Sequence, residues 1–177
     1  MDCCQPRTRQ TRRLPTRWLM TDERMGEDLW RALARLPRGG GVVFRHYSLA
    51  QAERRRLFVR VRAVALRRGL VLVRAGTTRM PGEMGTHARR GSGVVTWPVH
   101  DVGEARAARR ARADAVFVSP VFATRSHPSA GGLGERRARV IGRAAGVPII
   151  ALGGMSEARF RRLHGFHGYA AIDAWLA

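Results

Sequence analysis

Short, largely apolar runs alternate along this chain with segments whose apolar residues recur every three or four positions. The runs are Trp18-Leu19-Met20, Val42-Val43-Phe44, Leu70-Val71-Leu72-Val73, Val94-Val95-Thr96-Trp97, residues 114–121, residues 147–152 and Tyr169-Ala170-Ala171-Ile172. Each is the length of a strand buried on both faces. Between them lie helical patterns. Thr21 or Asp22 is placed to cap a helix carrying Leu29, Trp30, Leu33 and Leu36, which Gly39-Gly40-Gly41 stops. Ser48 is placed to cap a long helix running to about Arg68 and ended by Gly69. Asp101 opens a helix to about Ala113, another covers roughly 135–145, and Ser156 opens one reaching His164.

Parallel strands covered by amphipathic helices follow from this rhythm. Seven or eight such units in one small chain predict an α/β fold of the (β/α)8 TIM barrel type, with an open doubly wound sheet as the alternative. A complete barrel usually takes roughly 200 or more residues, and this chain has 177, so the barrel must be trimmed. Residues 75–93 hold five Gly and one Pro and show no helical pattern. The stretch from His87 to His100 is too short for a helical crossover, which needs a dozen or more residues. The helix between strands four and five is therefore read as missing, with the barrel open or irregular there. The expected organisation is a disordered basic tail over residues 1–15 and a single barrel domain over 16–177.

Charge and cysteine content change this picture little. The net charge is +20, every one of the 33 basic residues is Arg, and there is no Lys or Asn. A bias spread over the whole chain fits this better than a selected nucleic-acid footprint, so the Arg clusters at 54–68 and 106–112 are read as solvated helix faces. An Arg-rich nucleic-acid-binding protein stays as an alternative. Without Lys, no Schiff-base chemistry on the chain is available. No apolar run is long enough for a membrane span. The N-terminus lacks the apolar segment of a secretory signal, and Cys3 and Cys4 are adjacent in the tail, so a reduced, cytoplasmic protein is expected. Nothing in the pattern bears on oligomeric state.

Two segments carry chemistry. Ser119-Pro120-Val121-Phe122-Ala123-Thr124-Arg125-Ser126-His127 leaves one strand, and Ile150-Ala151-Leu152-Gly153-Gly154-Met155 leaves the next. Glycines after such a strand let backbone N–H groups approach an anion, and hydroxyls two residues apart, at Thr124 and Ser126, can face the same anion. These segments, with Gly168-Tyr169-Ala170-Ala171-Ile172 after them, resemble the strand-six loop, the Gly-Gly-Ile turn and the strand-eight end of the thiamine-phosphate synthase and thiazole tautomerase (TenI-like) family. Trp18-Leu19-Met20-Thr21-Asp22, Phe44-Arg45-His46-Tyr47 and Val99-His100 are similar to the family's strand-one, strand-two and strand-five ends.

The resemblance implies a transferase of thiamine biosynthesis that joins hydroxymethylpyrimidine diphosphate to thiazole phosphate. Its partner is then a phosphorylated small-molecule heterocycle, with Thr124, Ser126, Gly153, Gly154 and Ile172 as substrate-phosphate contacts. It also implies magnesium held by two carboxylates, and there the sequence departs. The Asn-Asp pair after strand three falls on Arg74-Ala75. The carboxylate after strand four, taken as Gly85-Thr86-His87, falls near Ser92. A Lys becomes Tyr47, another becomes His127, and the Ser before His100 is Pro98. The Ser after strand eight becomes Asp173, awkward beside a phosphate. The tautomerase His is Pro120. The candidate catalytic residues are Arg45, Arg74, His100 and His127. Three of them, Arg45, Arg74 and His127, are placed to hold a diphosphate without metal. A non-catalytic thiazole- or thiamine-phosphate-binding or regulatory member is the alternative. His46, His87, His100 and His127 all fall at strand ends, which raises a metal or acid–base cluster as a further reading.

Overall fold

The computed structural model describes residues 13–123 and 131–176. The strands are β1 (Arg17–Met20), β2 (Gly41–Phe44), β3 (Val71–Arg74), β4 (Gly85–His87), β5 (Val94–Val99), β6 (Ala115–Val118), β7 (Ile149–Leu152) and β8 (Gly168–Ala171). All eight pair in parallel in chain order, and β1 closes on β8 with Arg17 opposite Tyr169 and Leu19 opposite Ala171. The barrel is closed, so neither an open sheet nor an opening at strand four is present. The helices are α1 (Asp28–Arg35), α2 (Gln51–Arg68), α3 (Val102–Arg110), α4 (Gly134–Arg143) and the single turn α5 (Glu157–Phe160).

Alternation along each strand sorts the apolar residues into two layers. Trp18, Met20, Val43, Val73, Ala115, Phe117, Ile150 and Ala170 fill the barrel. Leu19, Val42, Phe44, Leu72, Val116 and Ala151 face outward under the helices. Trp18 is wholly buried, its indole N–H donating to the Pro15 carbonyl at 2.7 Å. Gly41 on the neighbouring strand makes room for it, since a Cβ there would stand 2.2 Å from the ring.

Six residues separate β4 from β5, and they form no helix, as their number requires. They fold back over Thr86, whose hydroxyl donates to the Arg89 carbonyl at 2.8 Å. The β3–β4 connection also lacks a helix. There Met80 is buried against the outer layer and the Met84 N–H donates to the Leu72 carbonyl at 2.9 Å. Two caps differ from expectation. Asp22 caps a 3-10 turn (Glu23–Met25) rather than α1. α2 starts at Gln51 with no side-chain cap, because its N-cap residue is Ala50; Ser48 lies two residues earlier, its N–H donating to Glu23 Oε1 at 3.0 Å. Asp101 and Ser156 do cap α3 and α5, but α5 stops at Phe160, well short of His164.

Candidate functional site

At the C-terminal ends of the strands lies a cavity of about 500 Å3. Its wall comes from the exits of β1 (Asp22, Arg24), β2 (Arg45), β5 (His100), β6 (Ser119, Pro120), β7 (Leu152 to Met155) and β8 (Ala170 to Ala174). None of the described residues after β3 or β4 contributes. One side is apolar, made by Pro120, Leu152, Ala170 and Ala171, and the other carries charge.

The β7 exit is built around two glycines in left-handed conformations, φ +95° at Gly153 and +60° at Gly154. A Cβ at Gly153 would stand 2.8 Å from Pro120 Cα, and one at Gly154 would stand 2.6 Å from the Ala123 carbonyl oxygen. The turn is thereby pressed against the β6 exit, and two hydrogen bonds join them: Val121 N–H to the Leu152 carbonyl at 2.8 Å and Phe122 N–H to the Gly153 carbonyl at 3.2 Å. Arg159 from α5 donates to the Gly154 carbonyl and lies over the Phe122 ring. Only glycine permits both this backbone conformation and this approach.

Across the cavity, Asp22 is almost buried between two guanidinium groups. Arg24 Nε lies 2.7 Å from Oδ1 and Arg45 Nη2 lies 3.7 Å from Oδ2. The Arg24 hydrogen bond, above all, holds the Asp22 carboxyl below the usual range. Arg45 is fixed at its backbone, its N–H donating to Thr21 Oγ1 at 3.0 Å.

Of the residues expected from the sequence, the structure brings Arg45, His100, Gly153, Gly154 and Ile172 to one cavity. Thr124, Ser126 and His127 lie outside the described residues. Arg74 does not reach the cavity. It is buried in an ion pair with Glu83, Nε to Oε2 at 2.5 Å, and it also donates to the Gly76 carbonyl. That pair pins the helix-free β3–β4 loop, and its position nine residues along a loop was invisible to periodicity. His100 is mostly exposed at the rim and paired with Glu104 at 2.8 Å. Asp22, Arg24, Ser119, Met155 and Asp173 also line the cavity, though none was a candidate site residue. Asp22 had shown as a cap and as the end of the strand-one segment, Asp173 as a misfit after strand eight, and Arg24 as one Arg among many.

The described histidines do not form a cluster. His46 is buried with Nδ1 3.0 Å from Thr21 Oγ1 and its ring stacked on Phe44. His87 points into the barrel, Nδ1 2.9 Å from Thr96 Oγ1 and its ring edge against Phe117. No three His, Cys, Asp or Glu side chains among the described residues converge as a metal site would require.

The arrangement is now comparable with known proteins. The sequence profile of the family described as thiamine monophosphate synthase matches residues 64–174, which run from the end of α2 to the last turn. A provisionally named thiamine-phosphate synthase 2 of Aquifex aeolicus (strain VF5) is 29% identical over 85 residues, covering 47% of this chain and 46% of that protein. The bifunctional thiamine biosynthesis protein ThiM/ThiE of Symbiobacterium thermophilum is 32% identical over 154 residues, covering 76% of this chain and 32% of that protein. The chain thus matches less than half the length of these curated relatives. Among solved structures, a thiamine phosphate pyrophosphorylase from Pyrococcus furiosus superposes with a TM-score of 0.77 at 20% identity, covering 94% of this chain and 90% of the other. The YdjI aldolase from Escherichia coli K12 superposes at 0.60 and 12% identity, over 90% and 75% of the two chains. Both likenesses speak to the barrel alone. The profile match covers more than half of the chain and takes in the β6, β7 and β8 exits that build the cavity: the chain belongs to the thiamine monophosphate synthase (TenI-like) family.

Proposed function

We propose that the mouth cavity binds a phosphorylated heterocycle in the cytoplasm, and that the chain works as a thiamine-phosphate-synthase-like transferase. The ring lies on the apolar wall of Pro120, Leu152, Ala170 and Ala171. The phosphate lies on the N–H groups of the Gly153-Gly154 turn and beside Ile172. The observation that carries the reading is the double-glycine turn, held open to the cavity opposite Arg45. In the transfer, the thiazole nitrogen attacks the pyrimidine methylene carbon, the C–O bond to the diphosphate breaks, and pyrophosphate leaves with that bond's electron pair. The need at the leaving group is for positive charge.

The family implies magnesium there, and the residues present do not fit it. Among the described residues, the carboxylates facing the cavity are Asp22 and Asp173. Asp22 is already engaged by Arg24 and Arg45, and no third ligand converges among the described residues. No step is therefore assigned to a metal. Among the described residues, Arg45 and Arg24 are the guanidinium groups lining the cavity, and Arg45 holds the leaving diphosphate.

Calorimetric titration with thiazole phosphate and with pyrophosphate tests this. Binding of both is expected, weakened by Arg45→Ala and insensitive to chelator; absence of binding to either compound ends the reading. A second reading, a non-catalytic phosphate-binding member, is favoured by the engagement of Arg74 with Glu83. It predicts binding without release of pyrophosphate when both substrates are supplied, and without rescue of a thiamine-requiring strain.

A further inference from the structure

The inward face of α2 is Arg54, Phe58, Val61 and Ala65. Three of these cover the barrel, and the fourth puts a guanidinium where an apolar side chain would serve that purpose. Arg54 is 7% exposed and makes no ion pair with a carboxylate among the described residues. A buried charge is costly unless its hydrogen bonds are made. Here the partners are all backbone carbonyls at strand exits. Nε donates to His46 O at 2.8 Å and to Arg45 O at 3.2 Å, and Nη2 donates to Arg45 O at 2.9 Å and Ala75 O at 2.7 Å. The guanidinium carbon lies 5.3 Å from the Phe44 ring centroid. One side chain of the helix that follows β2 thus ties the exit of β2 to the exit of β3, a strand that no helix follows.

The consequence falls on Arg45. Its N–H is held by Thr21 Oγ1 from the β1 side, and its carbonyl accepts twice from Arg54. The next residue, His46, is a non-glycine at φ +35°, a conformation that persists only where surroundings impose it. Thr21 holds its ring and Arg54 its carbonyl. The geometry points to Arg54 as a positioning residue for the anion site: it sets the backbone from which Arg45 reaches the cavity, without touching ligand. This rests on the reading of that cavity as an anion site.

The test is a double-mutant cycle with inorganic pyrophosphate as the probe. Arg54→Met is expected to weaken binding about tenfold, the scale of one lost hydrogen bond to a charged group. Combined with Arg45→Lys, which alters the side chain that Arg54 places, the same substitution is expected to change affinity by no more than about twofold, because the two residues act as one unit. The drop in melting temperature on Arg54→Met is expected in both backgrounds, so stability and positioning separate. Equal weakening in both backgrounds, or no weakening in either, overturns the proposal. If the Met variant does not fold, Arg54→Lys keeps the charge while losing the planar fork, and is judged by the same criterion. Undiminished binding by Arg45→Ala refutes the anion-site reading itself.

Discussion

Lowering the pH from 7 to 5 is expected to weaken this fold chiefly through His87. The imidazole sits on β4 inside the barrel, with Thr96 on one nitrogen and Phe117 against its edge. No carboxylate is among the groups acting on it. Burial, with a smaller repulsion from Arg45, lowers its pKa from 6.5 to about 3. The folded value is below the unfolded one, so the unfolded chain takes up the proton first as pH falls. Stability from this residue is fully present above pH 6.5 and is lost progressively down to about pH 3. At about 1.4 kcal/mol per pH unit below the unfolded value, the loss between pH 7 and pH 5 is about 2 kcal/mol. Asp22, Glu83 and Glu157 have depressed pKa values. Their stabilisation is present above the ordinary carboxylate range and fades as pH falls through the lower folded values, so it stays largely outside this window. His46, also lowered by its burial, adds a loss of the same sign that both proteins in the comparison share. The assay is urea unfolding at several pH values for the wild type and for His87→Gln, which retains a polar partner for Thr96. The wild type should lose about 2 kcal/mol more than the variant over the interval. Parallel stability curves would refute the assignment of a buried neutral imidazole.

Two further substitutions probe the site. Gly153→Ala places a Cβ 2.8 Å from Pro120 Cα at φ +95°. It should cost about 2 kcal/mol, lower the melting temperature by roughly 4–8 °C and weaken pyrophosphate binding; an unchanged melting temperature in a calorimetric scan would count against the tight β6–β7 contact. Glu83→Gln leaves Arg74 buried without its charge partner and should destabilise by about 3 kcal/mol. Pyrophosphate affinity should be unchanged by Glu83→Gln, since Arg74 lies away from the cavity, and a loss of affinity at constant fold would restore Arg74 to the site.

Much of the architecture was legible along the chain because its causes are local. Strands buried on both faces are apolar over most of their length, so β2, β3, β6 and β7 announce themselves, β3 apart from its last residue, Arg74. A crossover helix needs a minimum length, so counting residues between His87 and His100 was enough to remove the helix between β4 and β5. Gly153-Gly154 stood out because the pair follows a buried strand and comes after the Thr124 and Ser126 loop; alone it reads equally well as a tight turn. Closure of the barrel was not local. It depends on Arg17 meeting Tyr169 across the whole chain, and an interrupted helix pattern over residues 75–93 looked like a breach rather than a loop packed with Met80 and Met84.

The partners of the charged side chains were decided by tertiary structure alone. With 33 Arg and 13 acidic residues, most Arg look alike in sequence. Only the fold distinguishes Arg45, facing the cavity beside Asp22, from Arg74, buried against Glu83, and from Arg54, donating to three carbonyls. The histidines make the same point. His46, His87 and His100 are near strand exits, yet successive residues point to opposite sides of a strand and each barrel position has its own neighbours, so His46 and His87 lie apart on separate threonines. Sequence by itself determined the units, their order and the glycine turn, because those follow from periodicity and backbone sterics. Which charges meet follows from register around a closed barrel, where residues distant in the chain become neighbours.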